Sequence, residues 1–440
     1  MPVQPLPELI RFVRHTSPFY RNLYAGLPDD VSELTDLPVI PQAEFWQANT
    51  PRNNRLLTEE LNEAVVFKSG GTTGAPKFSC FTRTEWQEFT TAFGDGLVEA
   101  GLRPGHRVAD LFYAGELYAS FTFILDSLHR APVANVRLPI GGGTPPESIV
   151  HTLEEFDVDV VAATPTTLCA LADHLGREGR RLPQVKILFF GGEGLYEDQQ
   201  PLLRAAFPNA VMRSIGYAAV DSGLLGQAVP GDDPRVHRAF GPHTVVEILD
   251  EHTGCPITLP HVPGRVVVTD LRRRLMPILR YPVGDRAEWT DVSAGHFRIL
   301  GRADEGVRVG PVSLYTQDVQ DTVRAADPEG RVTGTQLAVR RWDGRDGLVL
   351  RLVCQGAAAA DGAGSSATHS RTGGGSPGEL ATLEDAITRE LLLARPMYGQ
   401  AVDAGHVHPL GVEWVTRHGD LAVNPRSGKL IRVLDERLQA

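Results

Sequence analysis

The sequence predicts an α/β protein in two parts, a large N-terminal domain of layered sheets and helices followed by a small α+β domain. Continuous Val/Ile/Leu runs alternate with helical stretches of about 10–15 residues as far as Leu300, the pattern of parallel strands buried on both faces. Beyond Leu300 the elements become fewer and mixed. Composition agrees: with 42% hydrophobic and 22% charged residues, the 440-residue chain reads as ordinary globular protein. It is long enough to bury about three quarters of its unfolded surface without disulfide or metal staples.

In chain order, strands are expected at Ala64–Phe67, Val108–Tyr113, Val133–Val136, Val158–Ala163, Val185–Phe190, Val211–Ile215, Val245–Leu249 and Val266–Leu271. Helices are expected at Thr84–Ala100, Leu117–His129, Pro146–Phe156, Thr166–Gly176 and Asp198–Phe207. The second part should hold helix Thr316–Ala326, strands Gln336–Trp342 and Leu348–Cys354, helix Leu380–Arg395 and a last strand Val412–Thr416. The boundary is expected near Gly301–Glu305, giving domains 1–301 and 302–440. Within the second, Gly356–Gly378 has 17 Gly, Ala or Ser among its 23 residues. It reads as a flexible surface insertion whose ends span on the order of 25 Å.

The net charge of −11 argues against a nucleic-acid partner. No apolar run reaches membrane-spanning length, and residues 1–25 lack the apolar core of a signal peptide. The four cysteines, Cys80, Cys169, Cys255 and Cys354, form no CxxC pair and read as reduced thiols. A soluble, cytoplasmic protein with neither membrane nor nucleic-acid partner is expected. Only four of the 43 basic residues are lysine: Lys68, Lys77, Lys186 and Lys429. A lysine kept in so arginine-rich a chain suits a place where a compact ammonium is needed. Lys186 reads as a chance survivor.

The strongest local signal is Ser69-Gly70-Gly71-Thr72-Thr73-Gly74-Ala75-Pro76-Lys77. Its glycines let backbone N–H groups turn toward one anion, its hydroxyls add donors, and Lys77 adds a point charge for phosphate. Unlike a P-loop, it places Pro76 before the lysine and a strand-like stretch, Phe78–Phe81, after it. The loop is therefore expected to join two strands and close over a triphosphate.

This loop resembles the signature of adenylate-forming enzymes: acyl-CoA synthetases, peptide-synthetase adenylation domains and luciferases. Further stretches resemble that family's pattern in order. Gly191-Gly192-Glu193-Gly194 resembles the turn beside adenine, and Tyr217-Ala218-Ala219-Val220-Asp221 the aromatic-Gly-x-Thr-Glu stretch. Arg280-Tyr281-Pro282-Val283-Gly284-Asp285 resembles the Tyr-x-x-Gly-Asp motif, Gly301-Arg302-Ala303-Asp304 the interdomain hinge, and Asn424–Lys429 the closing-lysine motif. Ser17-Pro18-Phe19-Tyr20-Arg21 and the compact length look most like the phenylacetate–CoA ligase branch.

The resemblance implies a catalytic pair, Lys77 on the leaving pyrophosphate and Lys429 bridging substrate carboxylate and nucleotide. Ser69, Gly70, Gly71, Thr72, Thr73, Gly74, Gly192, Glu193, Tyr217, Asp285 and Arg302 would bind ATP. Asp221 would hold Mg²⁺, and the small domain would act as a lid that pivots at Asp304. Two departures stand out: Asp221 is one methylene shorter than the usual glutamate, and Val220 replaces a threonine. Nearby, Tyr113, Gly115, Glu116, Tyr118, Thr164 and Gly191 fall where this branch builds its acyl pocket, and aromatic walls suit a flat aryl acid. Glu116 would pair with a substrate amino group.

Plainer readings stand beside these. Asp221 would N-cap a helix, Asp285 would cap a turn, Lys429 would simply be exposed, and Phe112 would be core. Gly141-Gly142-Gly143 lacks dinucleotide spacing, and His406 and His408 read as surface residues. The expected activity is ATP-dependent conversion of an aromatic carboxylic acid to an acyl-AMP with pyrophosphate release, then transfer to CoA. Two alternatives remain. One is transfer to an amine, carrier protein, reductase or other downstream acceptor, or diazotase-type chemistry, in natural-product biosynthesis. The other is a silent nucleotide-binding scaffold.

Overall fold

A computed structural model describes residues 5–68, 77–231, 233–302, 306–354 and 377–437. The segment 69–76, Asp304 and nearly all of the 356–378 insertion lie outside the described residues. The chain divides into two compact units: residues 1–164, 185–194 and 211–303 form the first, and 165–184, 195–210 and 304–440 the second.

The first unit opens with three helices that are not among the expected elements: α1 (Leu6–Thr16), α2 (Pro18–Leu23) and α3 (Gln42–Ala48). Each carries Pro at or just before its start, where a missing N–H costs nothing. A hairpin of β1 (Ala64–Lys68) and β2 (Phe78–Thr82) follows, pairing Lys68 with Phe78, so the Gly/Thr-rich segment does join two strands. Thr82 then starts α4 (Arg83–Glu99) with a capping box, exchanging hydrogen bonds with Glu85.

The parallel layer comes next, in the order β3 (Arg107–Asp110), α5 (Ser120–Arg130), β4 (Val136–Pro139), α6 (Pro146–Glu155), β5 (Val160–Ala163), α7 (Pro165–Arg177), β6 (Ile187–Phe190), α8 (Gln200–Ala206) and β7 (Val211–Ser214). The strands pair in the order β4-β3-β5-β6-β7, all parallel. Val108, Val160 and Phe189 pack in one core with Phe93, Leu97, Ile124 and Leu128 of α4 and α5. β5 and β6 are buried at every position, the doubly buried pattern that the apolar runs predicted, while the outer strands β4 and β7 are partly exposed.

Beyond β7 the expectation of continued parallel layers fails. Strands β8 (Tyr217–Ala219), β9 (Gly223–Ala228), β10 (Val236–Ala239), β11 (Thr244–Leu249), β12 (Gly264–Asp270), β13 (Ile278–Asp291) and β14 (His296–Arg302) form one antiparallel sheet in the order β11-β12-β13-β14-β10-β9-β8. Helices α1–α3 supply the cover that crossover helices would otherwise give: Leu9, Ile10, Val13, Tyr20 and Phe45 share a core with Val266, Val268, Ile278 and Tyr281.

The second unit contains α7, α8, a hairpin of β15 (Gly306–Val309) and β16 (Val312–Tyr315), α9 (Thr316–Ala326), β17 (Val332–Trp342), β18 (Arg345–Cys354), α10 (Pro377–Ala394), α11 (Pro396–Asp403), β19 (Gly411–Val415) and β20 (Val433–Asp435). Its four-stranded sheet runs β19-β18-β17-β20. Leu337, Leu350 and Leu352 pack there against Ile387 and Leu391 of α10. His408 corrects its surface reading. It is buried, and its ring stacks on Trp342 with centroids 4.0 Å apart. No helix among the described residues is long and apolar enough to cross a membrane.

Candidate active site

The acyl-pocket candidates of the first unit gather at the carboxyl ends of the parallel strands, where open α/β sheets bind ligands. Phe112 follows β3, Thr164 follows β5, Gly191 follows β6 and Ile215 follows β7. Gly191 is glycine for a visible reason: a Cβ there would stand 2.4 Å from the Ile215 side chain. Gly142 likewise lets the loop after β4 lie against Tyr113, whose ring a Cβ would meet at 2.3 Å. Of Gly141–Gly143, Gly142 alone has that role.

Tyr113 is half-buried, Tyr118 buried, and Gly115 and Glu116 exposed. Gly115, Glu116 and Leu117 all take positive φ, at 104°, 47° and 64°, so two of the three hold a conformation that favours glycine. The Lys68 N–H donates to Leu117 O at 2.8 Å, tying this turn to the strand that leads into the Gly/Thr segment.

Asp110, at the last position of β3, was not anticipated. Burial pushes its carboxyl up to about 8, against the pull of the Phe112 N–H, which donates to Oδ1 at 3.0 Å. Thr164 is buried behind β5, and Gly192, with φ 80°, turns the chain after β6 toward half-buried Glu193. Lys186 bonds Asp159 at 2.5 Å on the surface of the unit, a structural ion pair.

The nucleotide candidates lie on the antiparallel sheet. Tyr217 of β8 donates its hydroxyl to Asp285 Oδ2, and Asp285 faces Arg302 across β13 and β14 with Nη1 3.8 Å from Oδ1. Asp285 is thus a strand residue, not the cap of a turn. The Tyr217 ring packs with His237 and Phe297 at centroid distances of 5.9 and 6.2 Å. Burial, and then the Asp285 charge, raise the Tyr217 pKa well above its ordinary value. Behind this group His237 is neutral: burial pushes it down to about 4 while its ring nitrogens meet Ser214 Oγ at 3.0 Å and Arg235 O at 2.9 Å.

Asp221 sits in the turn between β8 and β9, with strand rather than helix after it, so the N-cap reading fails. Its Oδ2 accepts from the Tyr281 hydroxyl at 2.8 Å, and its backbone O accepts from Arg273 Nη1 at 2.9 Å. Arg273 also donates to Ser79 Oγ at 2.7 Å and lies over the Phe81 ring, joining β2 to the Asp221 turn. Tyr281 owes its direction to a bulge. Between the pairs Val268–Tyr281 and Asp270–Ile278, β13 holds one extra residue, and Arg280 takes φ 49°.

The residues fit a magnesium ion in one way. Among the described residues no group of three or more His, Cys, Asp or Glu can hold a metal. Asp221 would therefore contribute one hard oxygen to an ion completed by phosphate oxygens and water, as Mg²⁺ prefers. Lys77, half-buried just before β2, lies over the Trp46 ring with Nζ 5.4 Å from its centroid. Sequence reading passed over Gln42, Trp46 and Arg273, none of which belongs to a motif. The run of three arginines, Arg272–Arg274, was the one available hint.

In the second unit, Lys429 ends a tight turn. Asn424 N donates to Lys429 O at 2.8 Å, and Asn424 Oδ1 accepts from Arg426 N and Ser427 N at 3.0 and 3.1 Å. Buried Gln336 braces both arms: its Nε2 donates to Ala422 O and Ile431 O at 2.9 and 2.6 Å, and its Oε1 accepts from Ala422 N at 3.2 Å. Lys429 is half-buried, so the reading of a merely exposed lysine does not hold. Three residues on, Arg432 donates to Tyr196 Oη at 2.7 Å. Burial pushes neighbouring Asp198 up to about 6, against the pull of Arg432 and Arg324.

No protein-family model matches the chain. A phenylacetate-coenzyme A ligase of Thermus thermophilus is 28% identical over 358 residues, 76% of this chain and 77% of its own. That of Aromatoleum evansii is 24% identical over 71% of this chain and 72% of its own. Among solved structures, 2-hydroxyisobutyryl-CoA ligase in its postadenylation state superposes with a TM-score of 0.74 at 19% identity, covering 99% of this chain and 89% of that one. An anthranilate CoA ligase in complex with anthranoyl-AMP gives 0.56 at 16% identity, over 83% and 64%. The chain is thus an adenylate-forming, acid–CoA ligase-like enzyme with phenylacetate–CoA ligases among its homologues.

Proposed function

We propose that this chain activates an aromatic carboxylic acid with ATP, releasing pyrophosphate, and transfers the acyl group from the acyl-AMP to CoA. The observation that carries the reading is the pairing of two carboxylates with two phenols on one sheet, Asp285 with Tyr217 and Asp221 with Tyr281. Asp285 would then be an acceptor for ribose hydroxyls beside Arg302, and Asp221 a separate hard oxygen for Mg²⁺.

A carboxylate attacks a tetra-anionic nucleotide only where charge is neutralised and the approach held in line. Lys77 and the 69–74 loop would hold the leaving pyrophosphate. Asp221 would hold a magnesium ion, which would supply positive charge to the triphosphate. Lys429, stiffened by Gln336, would stabilise the charge that develops as the mixed anhydride forms. Tyr113 and Tyr118 would wall the aryl group at the strand ends. The 302–440 domain would bring Lys429 to the nucleotide by pivoting at Asp304.

Pyrophosphate release over benzoic, phenylacetic and amino-aryl acids, with and without CoA, tests the reading. Acid-dependent release and a CoA thioester product are expected. Release with no thioester would move the acceptor from CoA to another nucleophile. No release with any acid would leave the silent scaffold.

A further inference from the structure

The Asp221 carboxylate is held through a hydroxyl whose hydrogen-bonding capacity is full. Tyr281 Oη accepts from Gln42 Nε2 at 3.0 Å and from Trp46 Nε1 at 3.1 Å. An indole N–H can only donate. Gln42 Nε2 also meets the Pro282 carbonyl at 3.0 Å, so that end of the amide must be the NH₂. With both lone pairs engaged by donors, the single Tyr281 proton has one direction left, toward Asp221 Oδ2 at 2.8 Å. The same Trp46 presents its ring to the Lys77 ammonium. One side chain on α3 therefore touches both the group that orients Asp221 and the ammonium of Lys77.

We propose that Trp46 is a positioning residue that couples the two ends of the triphosphate site, its N–H orienting Asp221 through Tyr281 and its ring face seating Lys77. The inference rests on the assignment of Asp221 to the metal and Lys77 to the pyrophosphate. It adds a third wall, α3, that no motif marks. The two arms separate chemically. Trp46→Phe removes the N–H and keeps a ring, Trp46→Leu removes both, and Tyr281→Phe removes the hydroxyl alone. Loss of an outer partner of a metal-binding carboxylate costs roughly 10–100-fold in metal affinity.

Calorimetric titration with ATP, with and without Mg²⁺, and with metal-free pyrophosphate reads both arms without turnover. Thermal melts confirm that each variant is folded. The account expects Tyr281→Phe and Trp46→Phe to cut the tightening of ATP by Mg²⁺ about tenfold while pyrophosphate binds as in the parent protein. Trp46→Leu should weaken pyrophosphate as well, and retention of that binding in Trp46→Phe is the rescue a merely structural role would not produce. An unchanged magnesium effect in Tyr281→Phe, or parent-like pyrophosphate binding in Trp46→Leu, overturns the coupling and leaves the nucleotide assignment standing. A parent protein that binds neither ATP nor pyrophosphate overturns both.

Discussion

Gly284 makes room for Arg302. Its φ is +90°, and a Cβ at that position would stand 3.0 Å from Arg302 Nη2. Arg302 is the residue that pairs with Asp285 across the two strands. The glycine of this stretch thus serves the guanidinium opposite, and through it the carboxylate one residue further on.

Gly284→Ala should therefore weaken nucleotide binding as well as the fold. The positive φ costs on the order of 1–2 kcal/mol of stability, and displacement of Arg302 should raise the KM for ATP about tenfold, the worth of one hydrogen bond to a charged group. Urea unfolding and ATP-dependent pyrophosphate exchange measure the two effects. An unchanged KM would separate Arg302 from the nucleotide.

Asp110 gives the molecule a pH dependence of definite sign. With its carboxyl pushed up to about 8, the folded protein holds a proton that the unfolded chain releases near pH 4. The folded state binds more protons between those values, so this group's contribution to stability is complete below about pH 4 and is lost as pH rises toward 8. Asp110→Asn, which keeps an acceptor for the Phe112 N–H, should gain on the order of 5 kcal/mol relative to the parent at pH 8 and almost nothing at pH 4. Parallel stability curves for the two proteins would contradict this.

Gln336 should matter to Lys429 without touching it. All of its polar capacity goes into the arms of the Lys429 turn and into Arg351, whose Nη1 donates to Oε1 at 2.6 Å. Gln336→Leu strands buried backbone groups, at about 2–3 kcal/mol. It should lower kcat for adenylation severalfold while pyrophosphate binding stays at its parent value. Equal losses in both would mark a general unfolding effect.

The parallel layer was legible because its strands are continuous apolar runs, and β5 and β6 fall within residues of their expected places. Of the antiparallel sheet only β11 and β12 were, expected at Val245–Leu249 and Val266–Leu271. β8 has three residues and β10 four, and β13 is broken by Pro282 and Gly284, so period-two alternation never runs long enough to register. The site divides in the same way. Lys77, Asp221, Asp285 and Lys429 stand in motifs a reader can find. Gln42, Trp46, Arg273, Asp110 and Gln336 reach their partners only after chain segments distant in sequence have come together, as the 239 residues between Gln42 and Tyr281 illustrate.

ATP–pyrophosphate exchange without CoA, comparing the parent chain with Lys429→Ala, bears most directly on acyl-adenylate formation. The account predicts exchange that needs an aryl acid and Mg²⁺ and falls by at least a hundredfold in Lys429→Ala, the order expected when a group that stabilises developing charge is removed. Exchange that persists undiminished in Lys429→Ala, or that no carboxylic acid elicits from the parent, would contradict it.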